Sequence, residues 1–462
     1  MTRRGFRRSV VIIAAGILSA ANAAAGNVDI RAFGASVTNS PAANAKAINA
    51  AVASAAEAGG RVTVPAGTWR TGTVYLKSGV ELHLDIGAIL KASEDLADYN
   101  PPDAFPGNRG APDEGWNACH LIIAYRCENV AITGPGTLRA RTDGWYVRAE
   151  PKKGTPERAA RQAVMCEAWL TQYSWGATNA PVAARRLLEA CPKAELRPQF
   201  IQMNRCRNVL LDGFRLRRSP FWCIHLYLSE NVVARNLDLC ARQHNNDAFD
   251  IDMTRNVLIE NCTLDNADDG FCMKAGRNQD AWRLNTPTEN VTVRNCHVKF
   301  AHTLLGIGSE LSGGIRNVTV EDCTVDGVYN FFFLKTNCRR GGFVKDVRLR
   351  NVATDKAFIV ASIDTGVFYQ YADFPTYEVR PTEIDGICLE TVRCREALKG
   401  VYVAGDPSRK VRNLTLRDVS VGRIADTVAI GAWTNELEVV ERGRPVDIRN
   451  AEKVLLTNVR CE

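Results

Sequence analysis

The chain has 462 residues, of which 46% are hydrophobic and 24% are charged, and its formal net charge is +7. This is ordinary globular composition with ample apolar material for a core, which excludes a chain too polar to fold. The basic residues are spread along the chain, so the diffuse positive field suits an anionic partner. No basic-aromatic stripe or nucleic-acid motif accompanies them, so nucleic acid is not the expected partner.

The first 25 residues predict an export signal. Four arginines precede a short apolar run over 10–18, and residues 21–23 (Ala-Asn-Ala) have the small-x-small pattern of a cleavage site. The run is too short to span a bilayer, so no membrane anchor is expected. The segment 2–6 (TRRGF) resembles a twin-arginine signal, the alternative being a plain secretory signal with an arginine-rich front. The sequence therefore predicts a periplasmic or secreted protein.

A helix is predicted to begin at Ser40-Pro41 and to end at Gly59-Gly60. Serine is a favoured N-cap, proline suits the first turn, and glycine ends helices. The apolar residues that share one face of this helix are Ala45, Ile48, Val52 and Ala55. Strand-like segments follow, so the helix is expected to cap a strand-rich body.

Residues 155–196 interrupt the strand-rich pattern and predict a helical insertion. The candidate helices within it are 156–170 and 181–190. Cys166 and Cys191 would join them as a disulfide or remain as two free thiols.

One phrase, N-V-x-[LIV] or a near variant, recurs from residue 128 to residue 416. From Val209 its valines step by 23, 25, 34, 27 and 29 residues to Val347. Periods of this size predict a solenoid or propeller, and no helical period lies between the repeats. An all-β, right-handed parallel β-helix remains, whose coils stack like residues about 4.8 Å apart. Length alone would suggest two or three domains, but residues 26–462 are expected to form a single catalytic domain of this kind.

Cysteine usage agrees with such stacking. The chain has 15 cysteines, an odd number, so they cannot all pair. Cys262, Cys296 and Cys323 follow the repeat phrases IEN, VRN and VED, which predicts small buried residues stacked in the core. No CxxC or Cys/His spacing indicates a metal site.

The densest acidic cluster is HNNDAFDID (244–252) followed by NADDGFCMKAG (266–276). Asp247 precedes Asp268 by 21 residues, close to one coil, which would place it beside the Asp268-Asp269 pair. His302 follows its repeat valine by 11 residues, as Asp268 follows its own, and Lys335 lies 33 residues beyond His302. The shared phase predicts one column of these side chains along one face.

Stacked carboxylates repel, so one can hold a proton while others stay ionised. That division is what hydrolysis of a glycosidic bond needs. A lone histidine such as His302 is as often a core residue, but its phase favours the site. Asp250 and Asp252 are predicted to serve in turns and polar ladders instead.

From about residue 28 to residue 459 the sequence resembles the polygalacturonase family, glycoside hydrolase family 28. The marks of that family are N-T-D, D-D, G-H-G and R-I-K. The corresponding stretches here are Asn245-Asn246-Asp247, Asp268-Asp269, Ala301-His302-Thr303 and Phe333-Leu334-Lys335. The opening FGA…VPAGTW…LHLD and the stretch SPFW (219–222) are also similar to that family.

The resemblance implies an inverting hydrolase of pectin-type, α-linked galacturonate-containing polysaccharide. Asp268 would be the general acid, Asp247 and Asp269 would activate water, and His302 would tune the site. Lys335 would contact a uronate carboxylate as a point charge. No metal or organic cofactor is implied. The further substrate contacts expected are Asn245, Lys274, Phe333 and Tyr369.

Phe333 departs from the family, because it replaces an arginine that helps to bind a galacturonate carboxylate. Plain polygalacturonate is therefore in doubt as the substrate, and a more apolar, stacking subsite is expected. Arg339 and Arg340 would supply the missing charge or would belong to a solvated turn. Tyr369 would stack on a sugar or pack against the protein. Inversion predicts acid and base carboxyl groups about 6.5–9.5 Å apart.

Two further expectations concern mode of action and alternatives. The insertion 155–196 would wall one end of a cleft, which predicts action at chain ends. The alternatives to a hydrolase are a polysaccharide lyase, which would need calcium and an Arg or Lys base, and a non-catalytic carbohydrate-binding β-helix. Nothing in the sequence indicates an oligomeric state.

Overall fold

The computed structural model describes residues 26–100, 119–140, 154–193, 197–243, 245–367, 378–430 and 444–462. The predicted export signal lies outside these residues. The chain divides into two compact units. The first runs to Asn246 and includes Thr254–Leu258, and the second comprises Asp247–Met253 and Ile259–Glu462.

The first unit begins with the predicted helix, α1 (Pro41–Ala58). The Ser40 hydroxyl accepts a hydrogen bond of 3.2 Å from the backbone N–H of Ala43, which satisfies one of the helix's free donors. Gly59, with φ of 68°, turns the chain out of the helix. The predicted apolar face, Ala45, Ile48, Val52 and Ala55, is buried. The capping helix is confirmed.

Three stacks of parallel strands form the rest of the first unit. The strands are β1 (Val28–Asp29), β2 (Gly60–Val64), β3 (Gly67–Thr71), β4 (Val74–Leu76), β5 (Val80–Leu84), β6 (Ala88–Ala92), β7 (His120–Tyr125), β8 (Glu128–Thr133), β9 (Thr137–Arg139), β10 (Gln199–Asn204), β11 (Arg207–Asp212), β12 (Arg215–Arg217), β13 (Ile224–Tyr227), β14 (Glu230–Arg235) and β15 (Asp238–Ala241). β10 pairs with β7 and β13, β11 with β8 and β14, and β12 with β9 and β15. Each coil thus contributes three strands, which is the predicted right-handed parallel β-helix.

The helical insertion lies between β9 and β10. It contains α2 (Pro156–Ala177), a 3-10 turn (Val182–Ala184) and the single-turn α3 (Leu187–Ala190). The first helix runs past residue 170, whereas the second is much shorter than 181–190. Cys166 and Cys191 both carry free thiols.

The second unit continues the same winding. Its strands are β16 (Phe249–Asp252), β17 (Arg255–Glu260, shared with the first unit), β18 (Thr263–Asn266), β19 (Phe271–Lys274), β20 (Thr288–Arg294), β21 (His297–Gly308), β22 (Ile315–Glu321), β23 (Thr324–Lys335), β24 (Phe343–Asp364), β25 (Glu383–Ala404), β26 (Val411–Arg412), β27 (Thr415–Val421), β28 (Val446–Arg449), β29 (Ala451–Glu452) and β30 (Leu455–Cys461). The helix α4 (Asn278–Leu284) follows β19. β19 pairs with β16 and β21, and β23 pairs with β21 and β24, all in parallel.

The repeated asparagines explain the N-V-x-[LIV] phrase. Asn208 and Asn231 have φ of 57° and 59°, in the left-handed region that asparagine tolerates. The Asn231 amide donates to Asn208 Oδ1 at 3.1 Å, and the Asn208 amide donates to Asn129 Oδ1 at 2.9 Å. The valine of each phrase points into the core, where Val209 lies opposite Val130 and Val232. One phrase therefore supplies a bend, a polar ladder and a core residue in every coil.

The cysteines of the repeats are stacked as predicted. Cys262, Cys296 and Cys323 are 1%, 2% and 1% exposed. The thiol of Cys296 contacts those of the other two. Among the residues that the structure describes, no helix has both the length and the apolarity to cross a bilayer.

Candidate active site

Strands of the second unit carry most of the predicted catalytic residues. Asp247 precedes β16, the Asp268-Asp269 pair precedes β19, His302 lies within β21 and Lys335 ends β23. The parallel register that aligns these strands is Phe249 with Phe271, Phe271 with Leu305 and Leu305 with Phe332.

Backbone hydrogen bonds hold the acidic segments beside their neighbours. The N–H of Ala248 donates to the carbonyl of Asp269 at 2.8 Å, and the N–H of His302 donates to the carbonyl of Asp268 at 2.9 Å. Carboxylate oxygens of Asp247 and Asp269 lie within 4.8 Å of each other. The structure thus brings together the groups that share a phase in the sequence.

Asp269 is the most densely bonded carboxylate of the site. Lys335 Nζ lies 2.9 Å from Oδ2, and the Thr303 hydroxyl donates to Oδ1 at 2.7 Å. His302 Nδ1 lies 3.3 Å from Oδ1, and the Cys272 thiol donates to Oδ2 at 3.3 Å. Burial alone would raise the pKa of Asp269, but the charge of Lys335 and the contact with His302 outweigh it and hold the pKa well below its usual range. Asp269 is therefore ionised at neutral pH.

Asp247 has the opposite electrostatic environment. Its side chain is only 5% exposed, and the nearest ammonium, Lys274 Nζ, is 3.8 Å from Oδ2. Burial raises the pKa of Asp247 well above its usual range, and the nearby carboxylates of Asp250 and Asp268 raise it further. Asp247 and Asp269 thus form an unequal pair in which Asp269 carries the charge and Asp247 retains a proton in the unliganded site.

Asp268 is the half-buried member of the acidic cluster. Its Oδ1 accepts a hydrogen bond of 3.0 Å from the N–H of Asp269. Oxygens of Asp268 and Asp269 and a ring nitrogen of His302 all lie within 4.8 Å of one another. The two carboxyl groups therefore approach more closely than the about 6.5–9.5 Å expected for inversion, so that expectation is wrong for this pair. The reason is that the two residues share one turn and a hydrogen bond.

The ring of His302 is held between the acidic cluster and an apolar cluster. It lies 5.1 Å from the ring of Tyr329, centroid to centroid. Tyr329 in turn meets Phe358 edge-on at 4.6 Å, and both are buried. The packing fixes the imidazole plane, so that Nδ1 stays directed towards Asp269.

Phe333 lies at the position where the sequence predicts a substrate contact, and it is half-buried. Lys335 Nζ is 5.6 Å from the centre of its ring, within range of a cation–π contact. The residue opposite on β21 is Gly306, where an added Cβ would lie 2.8 Å from Asp269 Oδ2 and 2.9 Å from Thr303 Oγ1. A glycine is therefore required beside the ionised carboxylate. Sequence reasoning missed Thr303 and Gly306, although both stand in the stretch around His302.

Comparison with known proteins agrees with this geometry. The family model for glycosyl hydrolases family 28 matches residues 188–436. The chain belongs to glycosyl hydrolase family 28. A probable polygalacturonase of Vitis vinifera is 25% identical over 393 residues, which cover 84% of this chain and 72% of that protein. An exo-poly-alpha-D-galacturonosidase of Dickeya chrysanthemi is 26% identical over 288 residues, covering 60% of this chain and 47% of that protein.

The fold comparison covers more of this family 28 member. A hyperthermoactive exopolygalacturonase from Thermotoga maritima matches with a TM-score of 0.73 and 26% identity, covering 97% of this chain and 96% of that one. The predicted family, β-helix fold and glycosidase class are thus confirmed. Family membership favours hydrolysis over the lyase and the non-catalytic binder.

The remaining predicted contacts of this glycosidase have different positions. Lys274 is buried among carboxylates of the second unit, with 6% of its side chain exposed. Asn245 belongs to the first unit, where its Oδ1 accepts a hydrogen bond of 2.7 Å from Arg197. Tyr369 lies outside the described residues. Arg340 is 2% exposed and donates to Asn278 Oδ1 at 3.0 Å, so it does not belong to a solvated turn.

The cluster also contains groups of the kind that bind metal ions. However, the position that a cation would take beside Asp269 Oδ2 is filled by the Lys335 ammonium. Thr303 and His302 contact the other oxygen. The positive charge that this site needs is thus supplied by the protein's own side chains.

Proposed function

We propose that this chain is an exported, inverting hydrolase of α-linked galacturonate-containing polysaccharide or oligosaccharide, acting from chain ends without a metal or organic cofactor. The observation that carries the proposal is an ionised Asp269, held by Lys335 and His302, within 4.8 Å of oxygens of both Asp247 and Asp268. The named activities of the Vitis, Dickeya and Thermotoga relatives support the substrate class, and two of these relatives are exo-acting.

In this proposal Asp269 activates the attacking water. Its charge is maintained by Lys335 at 2.9 Å, so it can accept a hydrogen bond from water at neutral pH. As water adds to the anomeric carbon, its proton passes to the pair formed by Asp269 and Asp247. His302, fixed by Tyr329, keeps the charge of Asp269 in place.

Asp268 is the proposed general acid. It is the half-buried carboxyl of the three, whereas Asp247 and Asp269 are buried, so its proton is the one that a glycosidic oxygen can reach. The bond between the anomeric carbon and that oxygen breaks as Asp268 donates its proton to the leaving group. Water attacks from the opposite face, which inverts the configuration of the anomeric carbon.

The substrate subsite combines a charge with an apolar face. Lys335 supplies a single ammonium, and Phe333 offers no donor where the family has an arginine. The net charge of +7 suits a polyanionic chain. We therefore propose that a neutral, substituted or deoxy sugar of a branched or rhamnose-containing pectin lies against Phe333.

Product analysis on unbranched polygalacturonate and on branched pectic fragments tests the reaction type. Hydrolysis with the β-anomer appearing first by NMR is the expected result, and the α-anomer appearing first contradicts inversion. A product with an unsaturated, ultraviolet-absorbing sugar would instead show a lyase. Binding without turnover of any fragment would show a carbohydrate-binding protein.

The same reactions test the position of cleavage. An enzyme that acts at chain ends releases many reducing ends while the viscosity of the polymer falls slowly. Rapid loss of viscosity with few reducing ends would show internal cleavage and contradict the exo proposal.

A further inference from the structure

A buried ammonium lies behind Asp247. Lys274 Nζ is 3.4 Å from Asp250 Oδ1, 3.4 Å from Glu310 Oε2 and 3.8 Å from Asp247 Oδ2. Burial disfavours this charge, but the neighbouring Cys272 and the three carboxylates raise the pKa of Lys274 well above its usual range. Lys274 is therefore a charged group enclosed by acids of its own chain rather than one displayed to a polymer.

Glu310 fixes the position of this ammonium. Arg277 Nε donates to Glu310 Oε1 at 3.1 Å, and Arg277 Nη2 bonds to the same oxygen. The other oxygen, Oε2, accepts from Lys274. Burial would raise the pKa of Glu310, but Lys274, Arg277 and Arg340 hold it well below its usual range. A charged carboxylate thus anchors Lys274 from the side away from Asp247.

Asp250 competes with Asp247 for the same ammonium. Its side chain is fully buried, and neither of its oxygens makes a hydrogen bond, although Oδ1 is 3.4 Å from Lys274 Nζ. This is not the ladder role predicted from the sequence, whereas Asp252 does cap a turn by accepting from the N–H of Gly276 at 3.0 Å. Two buried carboxyl groups therefore share one cation, and the position of that cation decides which of them is stabilised as an anion.

We infer that Lys274 is a positioning residue for Asp247, held in place by Glu310, and that it sets the charge and orientation of the Asp247 carboxyl group without contacting the substrate. The inference rests on the proposed function, in which Asp247 and Asp269 accept the proton of water. The charged and titratable groups that face Asp247 are Asp250 on β16, Asp268 and Asp269 before β19, and Cys272 and Lys274 on β19.

Two substitutions should move the pH profile in opposite directions. Lys274→Met removes the cation, so Asp247 ionises only at higher pH, and the acidic limb of the kcat profile should move upwards. Glu310→Gln removes an anion and leaves the cation, so Asp247 ionises more readily, and the same limb should move downwards. We expect kcat to fall about 10²-fold in Lys274→Met, which is the low end for a general acid–base group, with KM changed less than about threefold.

Matched variants separate positioning from loss of structure. Lys274→Arg retains the charge and should keep the wild-type position of the acidic limb. Lys345→Met removes an ammonium that is 38% exposed and paired with Glu383, and it should change neither kcat nor the profile. A rise in KM with unchanged kcat and profile in Lys274→Met would overturn the inference, because it would show a substrate contact. Equal loss of kcat in Lys274→Met and Glu310→Gln with no shift of either limb would also overturn it.

Carboxyl titration tests the inference without turnover. In protein labelled with ¹³C-aspartate, the titration midpoint of Asp247 should rise in Lys274→Met and fall in Glu310→Gln. If Lys274→Met does not fold, Glu310→Gln alone decides: a midpoint that stays unchanged refutes the link between Lys274 and Asp247. If the midpoints move as expected while the wild type hydrolyses no pectic fragment, the proposed function fails and the positioning role stands.

Discussion

The carboxyl group of Asp268 is the residue on which turnover should depend most strongly. It is isosteric with asparagine, which cannot donate a proton to the leaving oxygen, so Asp268→Asn should lose about 10²–10⁴-fold in kcat. KM and the melting temperature should change little, because the amide keeps the size of the side chain. Asp326→Asn removes a carboxylate that is 65% exposed in the same unit and serves as the control. If Asp268→Asn retained more than about a tenth of kcat, another group would be the acid.

The charge of Asp269 should depend on Lys335. The ammonium holds the pKa of Asp269 down, so Lys335→Met raises that pKa and moves the acidic limb of the kcat/KM profile to higher pH. A carboxylate with a lowered folded-state pKa adds stability above its unfolded pKa, and this is lost as pH falls through the folded value. The free energy of unfolding of Lys335→Met should therefore lie below that of wild type at neutral pH, and the gap should narrow in acid. A gap that widened in acid would contradict this assignment.

Phe333 is the residue expected to select the sugar. A charge-assisted hydrogen bond contributes about 1.5–3 kcal/mol, so an arginine here should improve kcat/KM on unbranched polygalacturonate by about 10- to 100-fold. Relative to the branched substrate, Phe333→Arg should therefore gain on the unbranched one. Phe333→Leu, which keeps an apolar side chain, should not. A wild type already efficient on unbranched polygalacturonate and harmed by arginine would show that a different group binds the carboxylate.

At the scale of the elements, the asparagine ladder should be a main source of coil stability. Asn231 donates to Asn208 and accepts from Asn256 at 3.0 Å, and its φ is 59°. Asn231→Ala loses both hydrogen bonds and places a Cβ in the left-handed region, so the free energy of unfolding should fall by about 2–4 kcal/mol. Asn231→Gly loses the same bonds without the backbone strain and should cost about 1 kcal/mol less. Urea unfolding of both variants measures the difference.

The elements also explain which parts of the site were predictable. The repeat phrase sets the bend and the core residue of each coil, so it fixes a phase, and the phase brings Asp247 beside the Asp268-Asp269 pair. The partner of Lys274 carries no such signal. Glu310 lies 36 residues further on, after the end of β21, and its distance from Lys274 depends on the path of an irregular segment. For the same reason, the sequence predicted a substrate contact for Lys274, where the structure encloses it.

At the scale of the whole molecule, the cysteines distinguish the folded state from the unfolded one. All 15 carry free thiols, and ten of them are buried. Burial raises the pKa of Cys119 and of Cys394 to about 12, so these thiols hold almost no thiolate at neutral pH. A thiol-reactive aromatic disulfide should label Cys166, the exposed one, and should reach the ten buried cysteines only after unfolding. Cys166→Ser should remove the rapid phase of labelling.

The unfolded chain lacks that protection, so the redox conditions during folding should decide the yield. In a chain that has not yet coiled, Cys262, Cys296 and Cys323 are accessible thiols that can form disulfides with any of the others. The stacked core needs all three as reduced side chains, because they fill equivalent interior positions. Dilution from urea into reducing buffer should therefore give more active protein than dilution into oxidised glutathione, whereas the folded protein should keep its activity in both. Equal refolding yields would show that the thiols are buried before they can react. A higher yield under reducing conditions would suit a chain that folds before export, as its twin-arginine-like start predicts.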